Sequence, residues 1–320
     1  MNEVAVIGAG AWGTALAIQS ARAGRTVTLW ARDQAKAAAI EQTRVNPRLP
    51  GFRLPGTIRV TNHLPSSPAA VLLATPMQHL RAIAERLPPS EAPLVACAKG
   101  VEAGTLRLPL EVLAEARPDN PAVILTGPNF AHEVAEGMPA AATVAGTDPA
   151  VRDRIVALLA TASFRLYGND DPIGAQIGGA AKNVIAIAAG AVIGAGLGEN
   201  ARAALITRSL AELSRLTTAL GGRPETVMGL SGLGDLLLTC TGASSRNFSL
   251  GLALGRGEKL VDILASRATV TEGVATAPAL VARAAGVDMP ICAAVAALLA
   301  GRTTLAQAMA DLLARPRRDE

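Results

Sequence analysis

Aromatic side chains are nearly missing from this sequence: four phenylalanines, two tryptophans and one tyrosine in 320 residues. The core must therefore be built of Ala, Val, Leu and Ile, and no basic surface with interleaved aromatics is available for stacking bases. Blocks of one charge are missing too. The 30 basic and 26 acidic residues are scattered, and the net charge of +4 suits small anions more than a polynucleotide. Nucleic acid is not an expected partner. Only three cysteines occur, Cys97, Cys240 and Cys292, an odd count without CxxC spacing. That excludes a disulfide framework and a zinc ribbon. It suits a reducing compartment, and a cytoplasmic location is expected. His63, His79 and His132 have no paired spacing, so no metal site is expected. No uninterrupted apolar run reaches the roughly 20 residues of a membrane span. The acidic, strand-like start does not read as a secretory leader, so stable membrane insertion is not expected either. The tail, Arg315 to Glu320, reads as a solvated end.

What the chain does contain begins at once. Glu3 to Ile7 is an apolar strand, Gly8 to Gly13 reads GAGAWG, and Thr14 to Ala23 has the pattern of a helix. Gly24 ends that helix, and Thr26 to Ala31 is a second strand. This is a βαβ unit with a dinucleotide fingerprint. Gly8 permits the tight turn, Gly10 lets backbone approach a pyrophosphate, and Gly13 allows close helix–strand packing. The free N–H groups at the helix start then face the phosphates. The second strand ends in Trp30, Ala31, Arg32 and Asp33. An Asp or Glu there would hold the ribose 2′-OH of NAD. Arg32 suits a 2′-phosphate, and Asp33 can instead cap the next helix, so the cofactor is NADP or NAD with a lean to NADP.

Further strands read at Ala69 to Thr75, Leu94 to Ala98, Ala122 to Thr126, Ala140 to Ala145 and Phe164 to Tyr167. Strands alternating with helices imply a doubly wound parallel sheet, a Rossmann-type domain over residues 1–170. Lys99 stands at the carboxyl end of a strand, where such sheets bind ligands; a plain surface lysine is an equal reading of spacing alone. From 171 to 320 every pattern is helical. Its centre is Gly178 to Gly198, GGAAKNVIAIAAGAVIGAGLG, apolar on all sides at helical period and so predicted to be buried all round. Lys182 and Asn183 fall in its predicted first turns. A lysine there either snorkels to a surface or serves a site, and the small residues around it favour a site.

AAKNVIAI, GLGDLLLTC, SSRNFSLG and VTEGVAT in the helical half carry polar groups that a plain helical domain does not need. With GAGAWG, AKG and GPNFA they resemble bacterial NAD(P)-dependent glycerol-3-phosphate dehydrogenase, in order, from Val4 to about Met289. The resemblance implies reduction of dihydroxyacetone phosphate to sn-glycerol 3-phosphate for glycerophospholipid synthesis. It implies Lys182 as the general acid–base. It places Ala11, Trp12, Arg32, Lys99, Ala131, Arg246, Val270 and Glu272 at the cofactor. It places Lys99, Gly127, Asp235, Ser245, Arg246 and Asn247 at the substrate. Asn129 stands where the family usually has serine and still offers a donor and an acceptor.

The chemistry has its own logic. Hydride arriving at a ketone carbon leaves an alkoxide, which needs a proton donor within hydrogen-bond reach. Burial and a second cation lower an amine's proton affinity, and Lys182 with Lys99 would meet both conditions. Asp235 would orient the ammonium, or merely cap a helix. Arg246 would bind a phosphate bidentately, or be a solvated arginine. Ser244 or Ser245 would otherwise be an N-cap, and Thr239 and Asn183 can add hydrogen bonds to substrate hydroxyls. Two other readings stay open: a dehydrogenase of the β-hydroxy acid or ketopantoate reductase type, and a nucleotide-binding protein without turnover. A homodimer is expected from the apolar helical half.

Overall fold

The structure is a computed structural model that describes residues 2–242, 244–266 and 271–316. Val270 and the tail from Arg317 lie outside the described residues. The chain forms two compact units, Met1–Lys99 with Arg107–Gln176, and Gly100–Leu106 with Ile177–Glu320.

The first unit is an eight-stranded sheet. Its strands are β1 (Glu3–Ile7), β2 (Thr26–Trp30), β3 (Ile58–Thr61), β4 (Ala70–Leu73), β5 (Leu94–Ala96), β6 (Ala122–Thr126), β7 (Ala140–Ala145) and β8 (Phe164–Asn169). Its helices are α1 (Ala11–Arg22), α2 (Gln34–Thr43), α3 (Leu80–Arg86), α4 (Pro109–Ala116), α5 (Ala131–Glu136) and α6 (Pro149–Leu159). The strand order is β3-β2-β1-β4-β5-β6-β7-β8, so the winding reverses between β1 and β4. The carboxyl ends of those two strands make the switch point at which open α/β sheets bind ligands. Alternate residues of β1 enter different cores: Val4 and Val6 join one, Ala5 and Ile7 the other. Both faces are covered, which is why the strands read as apolar runs without alternation.

Two strands depart from the predicted parallel sheet: β7 runs antiparallel to β6, and β8, parallel to β7, shares its reversed direction. A parallel return must travel back along the sheet, usually on a crossover helix. The β6–β7 connection holds only the six-residue α5, about 9 Å long. That helix is held on α1, where Arg22 donates to the carbonyls of Val134 and Ala135 at 2.9 and 2.6 Å. The strand β3 has no counterpart in the sequence reading, because four residues directly after a Pro-rich loop carry little pattern.

The second unit is helical. It takes up α7 (Pro172–Gly194), which starts in the sheet unit, and adds α8 (Gly198–Ala219), α9 (Pro224–Val227), α10 (Asp235–Thr241) and α11 (Arg246–Gly255). Beyond these come α12 (Leu260–Ala265), α13 (Glu272–Arg283), α14 (Pro290–Leu299) and α15 (Leu305–Leu313). A π-helical turn, Leu230–Gly234, leads into α10. The short helices α9, α10 and α12 escape a sequence reading because one or two turns show no period.

Helix α7 starts earlier than its apolar run suggests. The Asp171 side chain accepts from the Gly174 N–H at 3.0 Å, and Pro172 occupies the first helical position. It ends where Gly196 and Gly198 take φ of 74° and 86°, in the left-handed region. Lys182 therefore lies about three turns inside the helix rather than in its first turns. The helix is apolar enough to cross a membrane by composition, and 78% of its most apolar window is buried inside the protein. It meets α11 at backbone distance. A Cβ on Gly190 would stand 2.0 Å from the Phe248 carbonyl oxygen, and one on Gly251 would stand 1.9 Å from that of Ile187. Elsewhere, buried Glu212 of α8 accepts from the Ile291 and Cys292 N–H groups at 2.6 and 3.2 Å, capping α14. Burial pushes its carboxyl above the ordinary value, against the pull of those two N–H groups.

Candidate active site

In the sheet unit the GAGAWG turn is fixed by sterics. Gly8 has φ +117°, and a Cβ there would stand 2.6 Å from the Ala74 carbonyl oxygen. A Cβ on Gly13 would stand 1.8 Å from the Gly8 carbonyl oxygen. Gly10 differs: a Cβ there would meet nothing within 4 Å, so the space above it is open to a ligand. Gly10 is the N-cap of α1 and gives no side-chain cap, and the first turn carries no acidic residue. The first N–H groups of a helix lack intrahelical partners, and with the helix dipole they attract an anion. The turn fits a nicotinamide dinucleotide: the space at Gly10 would admit its pyrophosphate, and the N–H groups of Ala11, Trp12 and Gly13 at the helix start would face it.

A residue that sequence reasoning missed holds the turn in place. Asn46 is buried, and its Nδ2 donates to the Ala9 carbonyl at 3.1 Å and to Thr14 Oγ1 at 2.7 Å. It lies in the Pro-rich loop, and nothing in its local sequence signals a bond to residues far upstream. At the end of β2, Asp33 is the N-cap of α2 and accepts from the Lys36 N–H at 2.9 Å. That bond holds its carboxyl below the ordinary value. Asp33 is thus engaged with α2, and exposed Arg32 is the charged side chain left at the strand end.

Farther along the same edge, Lys99 Nζ donates to the Gly127 carbonyl at 3.2 Å. Gly127, with φ +146°, lies so close to β7 that a Cβ would stand 3.0 Å from Ala142 Cα. Asn129 donates through Nδ2 to the Ala141 carbonyl at 3.2 Å, while its Oδ1 is buried and has no hydrogen-bond partner among the described residues. Ala131 opens α5.

In the helical unit, Lys182 Nζ meets Asp235 Oδ1 at 2.6 Å; the lysine side chain is 12% exposed and the aspartate 0%. Asp235 is placed by the π-helical turn before it. That turn packs on α7, where a Cβ on Gly178 would stand 2.4 Å from the Ser231 carbonyl oxygen. Thr239 donates back to the Asp235 carbonyl at 2.6 Å, so its hydroxyl proton is taken up within α10. Cys240 lies in the same cluster, and burial pushes its thiol up to about 12 despite nearby Lys182.

Ser245 caps α11, accepting from the Phe248 N–H at 3.2 Å, with Arg246 exposed at the first helical position. Asn247 donates to Asn183 Oδ1 at 2.8 Å. Glu272 opens α13. The structure therefore brings Lys182 to Asp235, Lys99 to Gly127 and Asn183 to Asn247. In the sheet unit it gathers Gly8, Gly10, Ala11, Trp12 and Gly13 into one turn.

Comparison with known proteins agrees along the whole length. The family model described as NAD-dependent glycerol-3-phosphate dehydrogenase N-terminus matches residues 3–152, and that described as the C-terminus of the same family matches residues 171–310. A protein of Acidiphilium cryptum named glycerol-3-phosphate dehydrogenase [NAD(P)+] is 59% identical over 320 residues, covering 99% of this chain and 98% of its own. One of Gluconobacter oxydans with the same name is 54% identical, covering 98% and 97%. The crystal structure of glycerol-3-phosphate dehydrogenase from Coxiella burnetii superposes with a TM-score of 0.93 at 35% identity, covering 98% of this chain and 99% of that one. A ketopantoate reductase of Ralstonia eutropha shares the fold, with a TM-score of 0.60 at 18% identity over 93% and 97% of the two chains.

Proposed function

Since the chain belongs to the NAD-dependent glycerol-3-phosphate dehydrogenase family, we propose that it reduces dihydroxyacetone phosphate to sn-glycerol 3-phosphate with NADPH or NADH. The observation that carries the mechanism is the buried Lys182–Asp235 pair. When bound, the nicotinamide supplies the hydride. Lys182 Nζ then stands as the proton donor to the oxygen that becomes the alcohol, and returns as acceptor in the reverse direction. Asp235 holds the ammonium in one orientation.

Arg246 and Ser245, at the start of α11, take the substrate phosphate, the guanidinium bidentately and the helix through its N–H groups. Lys99 and Gly127 at the sheet edge, with Asn129, complete the substrate contacts. Arg246, Ala131, Val270 and Glu272 also serve the cofactor. Arg32 favours NADPH, because Asp33 is committed to α2. The three buried free cysteines support a reducing, cytoplasmic setting. The burial of α7 supports a protein that does not insert in a membrane. We infer a homodimer, on the apolar helical half, and a role in glycerophospholipid synthesis.

The test is NADPH oxidation followed by absorbance on adding dihydroxyacetone phosphate, with NADH in parallel. Rapid oxidation is expected, and Arg32→Ala should shift preference toward NADH. Cofactor binding without oxidation would defeat the proposal, and turnover of ketopantoate instead would move the chain to that substrate class.

A further inference from the structure

Three of the polar motifs meet at one side chain. Asn247 of α11 is buried. Its Nδ2 donates to Asn183 Oδ1 on α7 at 2.8 Å, and its Oδ1 accepts from the Gly273 N–H of α13 at 3.0 Å. The orientation of the amide is fixed, because a backbone N–H can only donate. Asn183 follows Lys182 in the chain, and Gly273 follows Glu272.

Helix α13 depends on this bond. Its N-cap, Thr271, makes no side-chain cap. The first-turn N–H groups of a helix need partners from elsewhere, and Asn247 supplies one from another helix. The fit also dictates glycine at 273. A Cβ there would stand 2.7 Å from both the Asn183 carbonyl oxygen and Asn247 Oδ1.

We propose that Asn247 is a positioning residue whose amide sets the start of α13, with Glu272, in register with the Lys182–Asn183 step of α7. Cofactor affinity then depends on Asn247 even when no substrate is present. This rests on the reading that the chain binds NAD(P). A side chain that touched only substrate would leave the substrate-free complex unchanged. The second Nδ2 hydrogen stays available to a substrate oxygen, so the two roles are separable.

The experiment titrates NADPH into substrate-free wild type, Asn247→Ala, Asn183→Ala, the double variant and Asn247→Asp, with circular dichroism as the check on folding. Each alanine variant is expected to raise Kd about ten-fold, and the double variant about ten-fold as well, since both break one connected chain. Asn247→Asp still accepts from the Gly273 N–H, and the Asn183 amide can turn its NH2 to it. It is expected to stay within about three-fold of wild type. An unchanged Kd in folded Asn247→Ala overturns the proposal, as does a hundred-fold, additive loss in the double variant. If the alanine variants do not fold, Asn247→Asp decides, and a ten-fold rise overturns it. A wild type that binds neither NADPH nor NADH defeats the functional reading instead. The same cycle read as Tm then judges the link, additive falls overturning it and non-additive falls supporting it.

Discussion

Lys182 and Asp235 set the terms at the scale of single residues. Exposed ion pairs contribute about 0–1 kcal/mol. This pair is different, because the aspartate has no exposed surface and the lysine little. Removing one partner of a buried pair costs about 3–5 kcal/mol, mostly by leaving the other charge behind. Lys182→Ala is therefore expected to lower stability as well as activity, and the two must be read separately. In protein that circular dichroism shows to be folded, kcat should fall by about 10²–10⁴, with NADPH affinity within a few-fold of wild type. A folded variant that kept most of its kcat would remove Lys182 from proton transfer.

Lys182 was legible in the sequence because an amine in an apolar, Gly/Ala-rich helix conflicts with its surroundings. Its partnership with Asp235 entered only through the chemistry of proton transfer, with a helix cap as the alternative reading, since no local pattern links two residues on separate helices. Asn46 gave no signal at all, because its bonds to Ala9 and Thr14 are made by the fold.

At the scale of elements, packing sets the tolerances. The α7–α11 crossing leaves no room for a methyl group on Gly251. Gly251→Ala must push the two helices away from each other, at a cost of about 1–3 kcal/mol or more. Urea unfolding should show the midpoint falling with the slope unchanged. A midpoint equal to that of wild type would mean that the helices separate freely.

The cap on α14 carries a pH dependence. Burial raises the Glu212 carboxyl in the folded state. The folded protein therefore holds that proton more tightly than the unfolded chain does. The associated stability is fully present below the ordinary carboxylate value of about 4.3 and is lost as pH rises through the folded value. Glu212→Gln cannot titrate there. The advantage of wild type over Glu212→Gln in thermal unfolding should shrink as pH is raised from 4 towards neutrality. An advantage that grew with pH would reverse the assignment. The doubly wound sheet and α1 were legible because apolar strand runs alternate with helical patterns and the fingerprint has fixed offsets. The antiparallel β7 was not, because strand direction follows from what the connection can span.

Taken whole, the molecule keeps its reactive sulfur inside. All three thiols are free and buried. Burial pushes Cys97 and Cys240 up to about 12 and Cys292 well above the ordinary thiol value. The thiolate is the nucleophile, so native protein at pH 8 should react slowly with an aromatic disulfide reagent, and urea-unfolded protein should react at once at three sites. A fast-reacting thiol in native protein would show that one of these regions opens locally.

The whole chain also differs from place to place in how freely its length can change. Surface loops absorb an added or lost residue at small entropic cost. The π-helical turn Leu230–Gly234 cannot. It is fastened to α7 at Gly178, and a Cβ on Gly232 would stand 1.9 Å from the Val227 carbonyl oxygen. Each helical residue advances the side chain by about 100°. Deleting Leu233 would therefore turn Asp235 out of phase by about that angle, swinging its carboxylate off Lys182 while every charged group stays in the chain. Angular phase, as much as residue identity, makes this aspartate the lysine's partner.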